Sequence, residues 1–179
     1  MTLYLIRHGL TRANEEHLYC GSTDLPLSDR GRAQLRELKY DIKNVRFISS
    51  GMKRADETME ILFGSVPYDV EADFREVDFG DFEMRSYEEL KDTEAYREWL
   101  SGDNEANVPP GGESGAEMKQ RVLGALTRFT EDTLIVSHGG VIAAIMEQMF
   151  PDEAKSRYEW QPENGRGYKI TADSYERIP

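Results

Sequence analysis

Cysteine is almost absent from this sequence, since Cys20 is the only one among 179 residues. A single cysteine excludes a disulfide within the chain and a metal cluster held by several thiolates. We therefore expect the protein in the reducing cytoplasm. The sequence also lacks an apolar run long enough to cross a bilayer, and its first residues lack the basic and then apolar layout of a secretory signal.

Positive charge is scarce as well. The chain has 22 lysine and arginine residues against 34 aspartate and glutamate residues, which gives a formal net charge of −12. Such a surface repels a nucleic acid backbone or an anionic membrane, so we expect neither as a partner. A small anionic ligand can still bind where positive charge is gathered locally. The sequence does not indicate an oligomeric state.

The length and the 39% hydrophobic content suit one compact domain that spans residues 1–179, and no repeat or linker divides it. Strand-like and helix-like segments alternate, which predicts an α/β fold with a parallel sheet. The predicted strands are residues 3–6, 45–49, 68–70, 134–136, 168–171 and 174–178. Helices are predicted to begin near Ser28, Met52, Ser86, Ser114 and Val141. The spacing of Leu35, Leu38 and Ile42 extends the first of them to residue 42.

Two of the predicted strands end in the same way. Leu3–Ile6 is followed by Arg7, His8 and Gly9, and Leu134–Val136 is followed by Ser137, His138 and two glycines. Burying such basic groups is costly unless something anionic meets them. The alternative is that the arginine and the histidine lie at the rim of the sheet and are hydrogen-bonded to loop backbone. Parallel strands have their carboxyl ends at one edge of the sheet, where α/β proteins bind ligands. We therefore expect both histidines to line one crevice, with glycines that allow a ligand to approach the backbone.

Arg54 is predicted in the first turn of the helix after Met52. A cation there opposes the helix dipole, so the position suits an anion that shares the site. The alternative is an ordinary solvated surface arginine. Taken with Arg7 and the two histidine endings, Arg54 indicates a phosphate-binding site.

Two further segments carry candidate functional groups. Residues 102–112, rich in asparagine, glycine and proline, form a predicted surface loop that could act as a lid or determine specificity. An acidic cluster precedes Ser86, and most of its carboxylates are expected to be solvated. A member that faces the pocket would have a raised pKa suited to a proton donor. The members are Asp73, Glu76, Asp78, Asp81 and Glu83.

Five segments, taken in order, resemble the histidine phosphatase superfamily, which includes phosphoglycerate mutases and fructose-bisphosphatase-like enzymes. They are Arg7–Gly9 with Thr11 and Asn14, then Ser49–Arg54, Arg75–Glu83, Gly111–Ser114 and Ser137–Gly140. The resemblance covers nearly the whole chain. It implies a three-layer α/β/α sandwich with a mostly parallel central sheet, and it selects Glu76 among the acidic residues.

The resemblance also implies metal-independent, cofactor-free hydrolysis of a small phosphomonoester in two steps. Neutral His8 would attack phosphorus with one ring nitrogen while backbone holds the other, giving a phosphohistidine. Arg7, Arg54 and a protonated His138 would surround the phosphate oxygens. Glu76, if protonated, would donate a proton to the leaving alcohol and then activate water.

Substrate contacts and identity follow from the same resemblance. Residues 18–27 look most like the α-ribazole phosphatases of cobalamin assembly, which makes α-ribazole 5′-phosphate the candidate substrate. Two positions depart from the family pattern, because Met84 replaces a usual glycine and Gly51 a common proline. Both changes could reshape loops beside the pocket. The expected substrate-binding positions are Thr11, Asn14, Gly21 and Gly139.

Three other functions are alternatives to hydrolysis of a phosphomonoester through a phosphohistidine. Phosphoglycerate mutases look longer, with inserted segments that shield the phosphohistidine, whereas 61 residues (77–137) separate Glu76 from His138 here. A metal-dependent hydrolase would need local ligand spacing that neither histidine shows, and the arginines would repel a cation. A non-catalytic module that binds phosphorylated ligands is the alternative outside enzymes, although all five expected catalytic positions hold competent residues.

Overall fold

A six-stranded sheet forms the centre of the computed structural model, which describes residues 1–179. The strands, in chain order, are β1 Leu3–Arg7, β2 Arg46–Ser49, β3 Asp69–Val70, β4 Thr133–Ser137, β5 Gly167–Thr171 and β6 Ser174–Ile178. Their spatial order is β3-β2-β4-β1-β5-β6. The first four strands are parallel, and β5 and β6 are antiparallel to their neighbours. The predicted strands and the mostly parallel sheet are confirmed.

Eight α-helices surround the sheet. They are α1 Arg12–Glu15, α2 Asp29–Glu37, α3 Lys53–Phe63, α4 Tyr87–Leu90, α5 Glu94–Leu100, α6 Gly115–Leu126, α7 Gly139–Met149 and α8 Arg157–Trp160. None of them has the length and apolar character that crossing a membrane requires. Residues 102–112 lie outside every helix and strand, as predicted.

The sheet carries an apolar cluster on each face, which confirms the three-layer α/β/α sandwich. Leu5 and Ile135 belong to the larger cluster, which contains the apolar residues of α6 and α7. Ile6 and Val136, their neighbours along β1 and β4, belong to the second cluster with residues of α3. Side chains alternate between the faces of a strand, so both strands need apolar residues throughout.

The predicted extent of the helix after Ser28 is wrong at its end. Ser28 accepts a hydrogen bond from the Gly31 amide and caps α2 as expected, but α2 stops at Glu37. Leu38 has extended backbone angles, φ −82° and ψ 145°. Ile42 lies beyond the helix and packs against the α3 side of the sheet from a loop. Apolar spacing predicted that these residues face the core, where Leu35 is buried and Leu38 and Ile42 are half-buried, but it did not predict the backbone conformation after Glu37.

The register between β1 and β4 positions the two histidines. Arg7 pairs with Ser137 at the last step of this parallel ladder. His8 and His138 are the next residues on the two strands, so they leave the same sheet edge side by side. Helix α7 then begins at Gly139, directly after His138.

Candidate active site

His8 lies at the carboxyl end of β1 and is 5% exposed. Its Nδ1 lies 2.7 Å from the carbonyl oxygen of Gly9. A carbonyl only accepts hydrogen bonds, so Nδ1 carries the proton and Nε2 keeps a free lone pair. Burial, followed by the charges of Arg54 and Arg7, holds the pKa of His8 well below its ordinary value. The ring is therefore neutral, its orientation is fixed, and it suits the nucleophile role predicted for it.

His138 lies beside it, with ring centroids 5.1 Å apart. Arg54 Nε donates to His138 Nδ1 over 3.3 Å, and Ser50 Oγ lies 2.9 Å from Nε2. Burial and the charges of Arg54, His8 and Arg7 hold the pKa of His138 well below its ordinary value. A protonated His138 around a bound phosphate stays a prediction. Its Nδ1 accepts from a guanidinium, so the ring is neutral and its proton is on Nε2.

Arg54 is the second residue of α3 and is only 1% exposed, so it is not a solvated surface arginine. Its two terminal nitrogens donate to the carbonyl oxygens of Thr23 and Gly21, at 2.9 and 2.8 Å. These bonds, together with the one to His138, fix the guanidinium plane beside the histidine pair.

Arg7 supplies the second guanidinium group. One terminal nitrogen donates to the carbonyl oxygen of Pro162 over 2.9 Å, while its buried Nε has no hydrogen-bond partner. Burial lowers the pKa of Arg7 and the carboxylate of Glu76 raises it, and an arginine stays charged under either influence. An unpaired buried donor is costly. Its presence is consistent with an anion that supplies the missing acceptor.

Glu76 reaches the same crevice from the segment after β3. Its carboxylate accepts from the amide of Gly140 over 2.9 Å and from the amide of Val77 over 3.0 Å. A β-carbon at position 140 would lie 2.5 Å from this carboxylate, so the glycine there makes room for Glu76. Arg121 binds the carbonyl oxygens of Asp73, Arg75 and Glu76 and holds the segment in place.

The four expected substrate-binding positions differ from one another in their surroundings. Thr11 caps α1, and its hydroxyl is bonded to Asn14 within a capping box. Asn14 lines the cavity beside Arg7. The amide of Gly21 donates to Glu83, so it is already occupied. Gly139 begins α7 next to Arg7, and its amide is among those that a helix leaves unpaired at its N-terminus.

Comparison with known proteins decides the family. The model of the histidine phosphatase superfamily (branch 1) matches residues 3–177. The chain belongs to this superfamily. It is 31% identical to adenosylcobalamin/alpha-ribazole phosphatase of Escherichia coli K12, over 92% of this chain and 87% of that protein. It is 32% identical to phosphoglycerate mutase-like protein 4 of Arabidopsis thaliana, over 86% and 73% of the two chains.

Solved structures of the superfamily share the fold. A candidate alpha-ribazole-5′-P phosphatase of Escherichia coli superimposes with a TM-score of 0.84 at 28% identity, over 99% of this chain and 94% of the other. A phosphoglycerate mutase of Thermus thermophilus gives 0.82 at 29% identity, over 100% and 99%. With the phosphatases among its relatives, this membership identifies the chain as a phosphomonoester hydrolase.

Glu83 of this histidine phosphatase belongs to the acidic cluster, and the sequence predicted no specific role for it. Its carboxylate accepts hydrogen bonds from the amides of residues 21, 22, 23 and 79 and from the hydroxyl of Thr23, at 2.7 to 3.3 Å. The same loop offers its Gly21 and Thr23 carbonyl oxygens to Arg54. Glu83 therefore orients Arg54 through residues 21–23. Backbone donors leave no pattern in the sequence that would have revealed this contact.

Both departures from the family pattern occur where the backbone turns unusually. Met84 has φ +59°, a left-handed backbone conformation that residues other than glycine rarely adopt. Gly51 has φ +75°, and a β-carbon there would lie 2.5 Å from Val70. Proline cannot adopt this φ, so the glycine is required by the turn between β2 and α3.

A cavity of about 250 Å³ continues from the predicted catalytic groups and ends among aromatic rings. Arg7, Glu76 and Gly140 line the end at which these groups lie, which we call the catalytic end. The aromatic residues that line it are Tyr19, Phe79, Trp99 and Tyr158. Tyr19 packs edge-on against Phe79 and Trp99, with centroids 5.1 and 5.9 Å apart.

Cys20 also lines this cavity. Burial raises the pKa of its thiol, so the side chain stays uncharged. Histidine, cysteine and carboxylate side chains form no group of three or more that could hold a metal ion.

Proposed function

We propose that this chain hydrolyses a small phosphomonoester through a phosphohistidine on His8, and that α-ribazole 5′-phosphate is its substrate. The observation that carries the mechanism is the bond between His8 Nδ1 and the Gly9 carbonyl oxygen, 2.7 Å long. It leaves Nε2 as the nucleophilic atom in a buried pocket beside two guanidinium groups.

In the first step, Nε2 of His8 bonds to phosphorus and the bond from phosphorus to the ester oxygen breaks. Glu76 donates a proton to the departing alkoxide. Arg7 and Arg54 bind the phosphate oxygens with planar, charged donors and stabilise the charge that builds up on them. The buried Nε of Arg7, which has no hydrogen-bond partner within the protein, donates to a phosphate oxygen.

In the second step, the Glu76 carboxylate takes a proton from water, whose oxygen attacks the phosphohistidine. The bond to Nε2 breaks, and His8 returns to its neutral form with inorganic phosphate as product. Burial and the neighbouring cations lower the pKa of His138, and a bound phosphate dianion raises it by opposite charge. The bound phosphate thus favours the protonated form of His138.

The substrate assignment rests on the cavity and the relatives together. An aromatic wall suits a flat ring, and α-ribazole 5′-phosphate is a nucleoside phosphate with an aromatic base. Relatives at about a third identity carry the name adenosylcobalamin/alpha-ribazole phosphatase. A single cysteine supports a cytoplasmic location for this reaction.

A panel of phosphorylated metabolites tests the proposal, with His8→Ala as the inactive control. We expect the highest kcat/KM for α-ribazole 5′-phosphate and no turnover by the variant. Rapid quenching with ³²P-labelled substrate is expected to leave label on the wild-type protein. Absence of bound label during active turnover would refute the phosphohistidine.

Phosphoglycerate mutase is the second candidate, favoured by relatives and a solved structure that carry this name. The same panel contains 2- and 3-phosphoglycerate. Interconversion of these two compounds faster than release of inorganic phosphate would replace hydrolysis by the mutase reaction.

A further inference from the structure

Beyond the catalytic end, the cavity has one more cationic side chain. Arg7 and Arg157 are the only arginine or lysine residues among those that line it. Arg7 is part of the phosphate site. Arg157 is the first residue of α8 and lies outside that site.

Arg157 is joined to the catalytic end by a short piece of chain. Helix α8 ends before Gln161, and the next residue, Pro162, accepts the hydrogen bond from Arg7. One helical turn rises about 5.4 Å, so the backbone of Arg157 lies roughly one turn from residues that touch Arg7. A long arginine side chain at this distance can reach a ligand whose phosphate is bound at His8.

Arg157 is already paired with a carboxylate. Glu105, from the loop of residues 102–112, forms a salt bridge with it, and the two side chains are 39% and 27% exposed. The backbone around Glu105 is anchored, because its carbonyl oxygen accepts from the Ala116 amide over 2.9 Å. A β-carbon at position 115 would lie 2.6 Å from the Glu105 carboxylate, so Gly115 leaves the space that Glu105 fills.

We propose that Glu105 makes this enzyme selective for phosphomonoesters with uncharged leaving groups by neutralising Arg157. A substrate with a second anionic group would have to displace Glu105 to reach the guanidinium. An uncharged leaving group needs no such displacement and packs on the aromatic wall. This inference rests on the proposed function and adds its substrate class.

Two substrates that differ only in charge test this selectivity. Phenyl phosphate and 4-carboxyphenyl phosphate present the same ring, without and with a carboxylate. For Glu105→Gln we expect kcat/KM with 4-carboxyphenyl phosphate to rise about tenfold, because the freed Arg157 can make a charge-assisted hydrogen bond. With phenyl phosphate we expect kcat/KM to change less than about twofold, because this substrate has no carboxylate for Arg157 to bind.

The double variant Glu105→Gln/Arg157→Gln shows which group receives the carboxylate, and we expect it to lose the gain. Glu131→Gln, which removes a carboxylate paired with Arg46 away from the cavity, is the matched control. Equal gains with both substrates would mean that Glu105 only restricts access, and no gain would mean that it does not mask Arg157. Either result overturns the inference while phenyl phosphate turnover upholds the phosphatase. Absence of turnover with wild-type protein would overturn both.

Discussion

At the scale of single residues, the two buried histidines make stability depend on pH. Their folded-state pKa values are depressed, so below about pH 6.5 the unfolded chain binds protons that the folded chain does not. Stability is therefore lost as pH falls below this value, by about 1.4 kcal/mol per pH unit for each histidine until its folded pKa is reached.

Urea unfolding at pH 7.0, 6.0 and 5.5 measures this slope. We expect His8→Asn to reduce the loss of unfolding free energy by about 1.4 kcal/mol per pH unit, because asparagine does not titrate. His17→Asn, which removes an exposed histidine, is the control. An unchanged slope in His8→Asn would contradict a neutral His8 in the folded protein.

A second prediction at this scale concerns Glu83, which holds residues 21–23 against Arg54. In Glu83→Gln an amide group replaces one acceptor and faces backbone donors, so the loop and Arg54 lose their fixed positions. We expect kcat to fall about tenfold or more, as when a donor to a transition-state oxygen is displaced. KM should change less.

Asp81→Asn provides the matched control for Glu83→Gln, because Asp81 is an exposed carboxylate in the same segment. It should retain wild-type kinetics. Thermal unfolding of both variants separates a positioning effect from loss of fold. Normal kcat in a folded Glu83→Gln protein would show that Arg54 does not depend on Glu83.

The sequence could predict residues whose chemistry appears as a pattern. The two endings that contain His8 and His138 follow from buried strands and basic residues, and their convergence follows from parallel pairing. The Glu83 contact could not be predicted, because its partners are amides that every residue carries. The protonation state of His138 also could not be predicted from the sequence, since its pKa depends on how Arg54 and the other cations pack around it.

At the scale of elements, the turn at Met84 is strained. A left-handed residue with a β-carbon costs about 1–2 kcal/mol, and glycine removes that cost while it adds flexibility to the unfolded chain. We expect Met84→Gly to raise the free energy of unfolding by about 0.5–1 kcal/mol and to keep activity.

Met84→Ala keeps the β-carbon and serves as the comparison for this turn. It should show no gain in denaturant unfolding. A Met84→Gly protein that is less stable than Met84→Ala would mean that the methionine side chain contributes more through packing than its conformation costs.

Element ends were the part of the fold that the sequence predicted least well. Capping residues fixed the starts of α2 and α6, because Ser28 and Ser114 bond directly to nearby amides. The end of α2 has no such local signal. Tertiary packing decides it, since Ile42 reaches the apolar cluster from a loop.

At the scale of the whole molecule, the single domain of residues 1–179 stays a prediction that unfolding can test. The two tryptophans report separate regions: Trp160 lies in the large core cluster, and Trp99 packs with the aromatic residues of the α5 region. One domain requires that both regions unfold together.

Single-tryptophan variants, Trp99→Phe and Trp160→Phe, make this test specific. In each variant we expect the fluorescence and far-ultraviolet circular dichroism transitions to share one urea midpoint. The midpoints of the two variants will differ, because Trp160 is nearly fully buried and its loss leaves space in the core. Separate midpoints for the two signals within one variant would indicate independently unfolding parts.

The pairing of Arg7 with Ser137 has a consequence for how such an enzyme can change. The gap between the two imidazoles follows the width of a hydrogen-bonded strand pair, a dimension that no single substitution alters. The far end of the cavity is formed by loops and short helices, which tolerate insertions and exchanges. Changes in single loops can therefore give descendants of this chain activity on phosphomonoesters of other alcohols. The end of the cavity that binds the phosphate is meanwhile inherited unchanged.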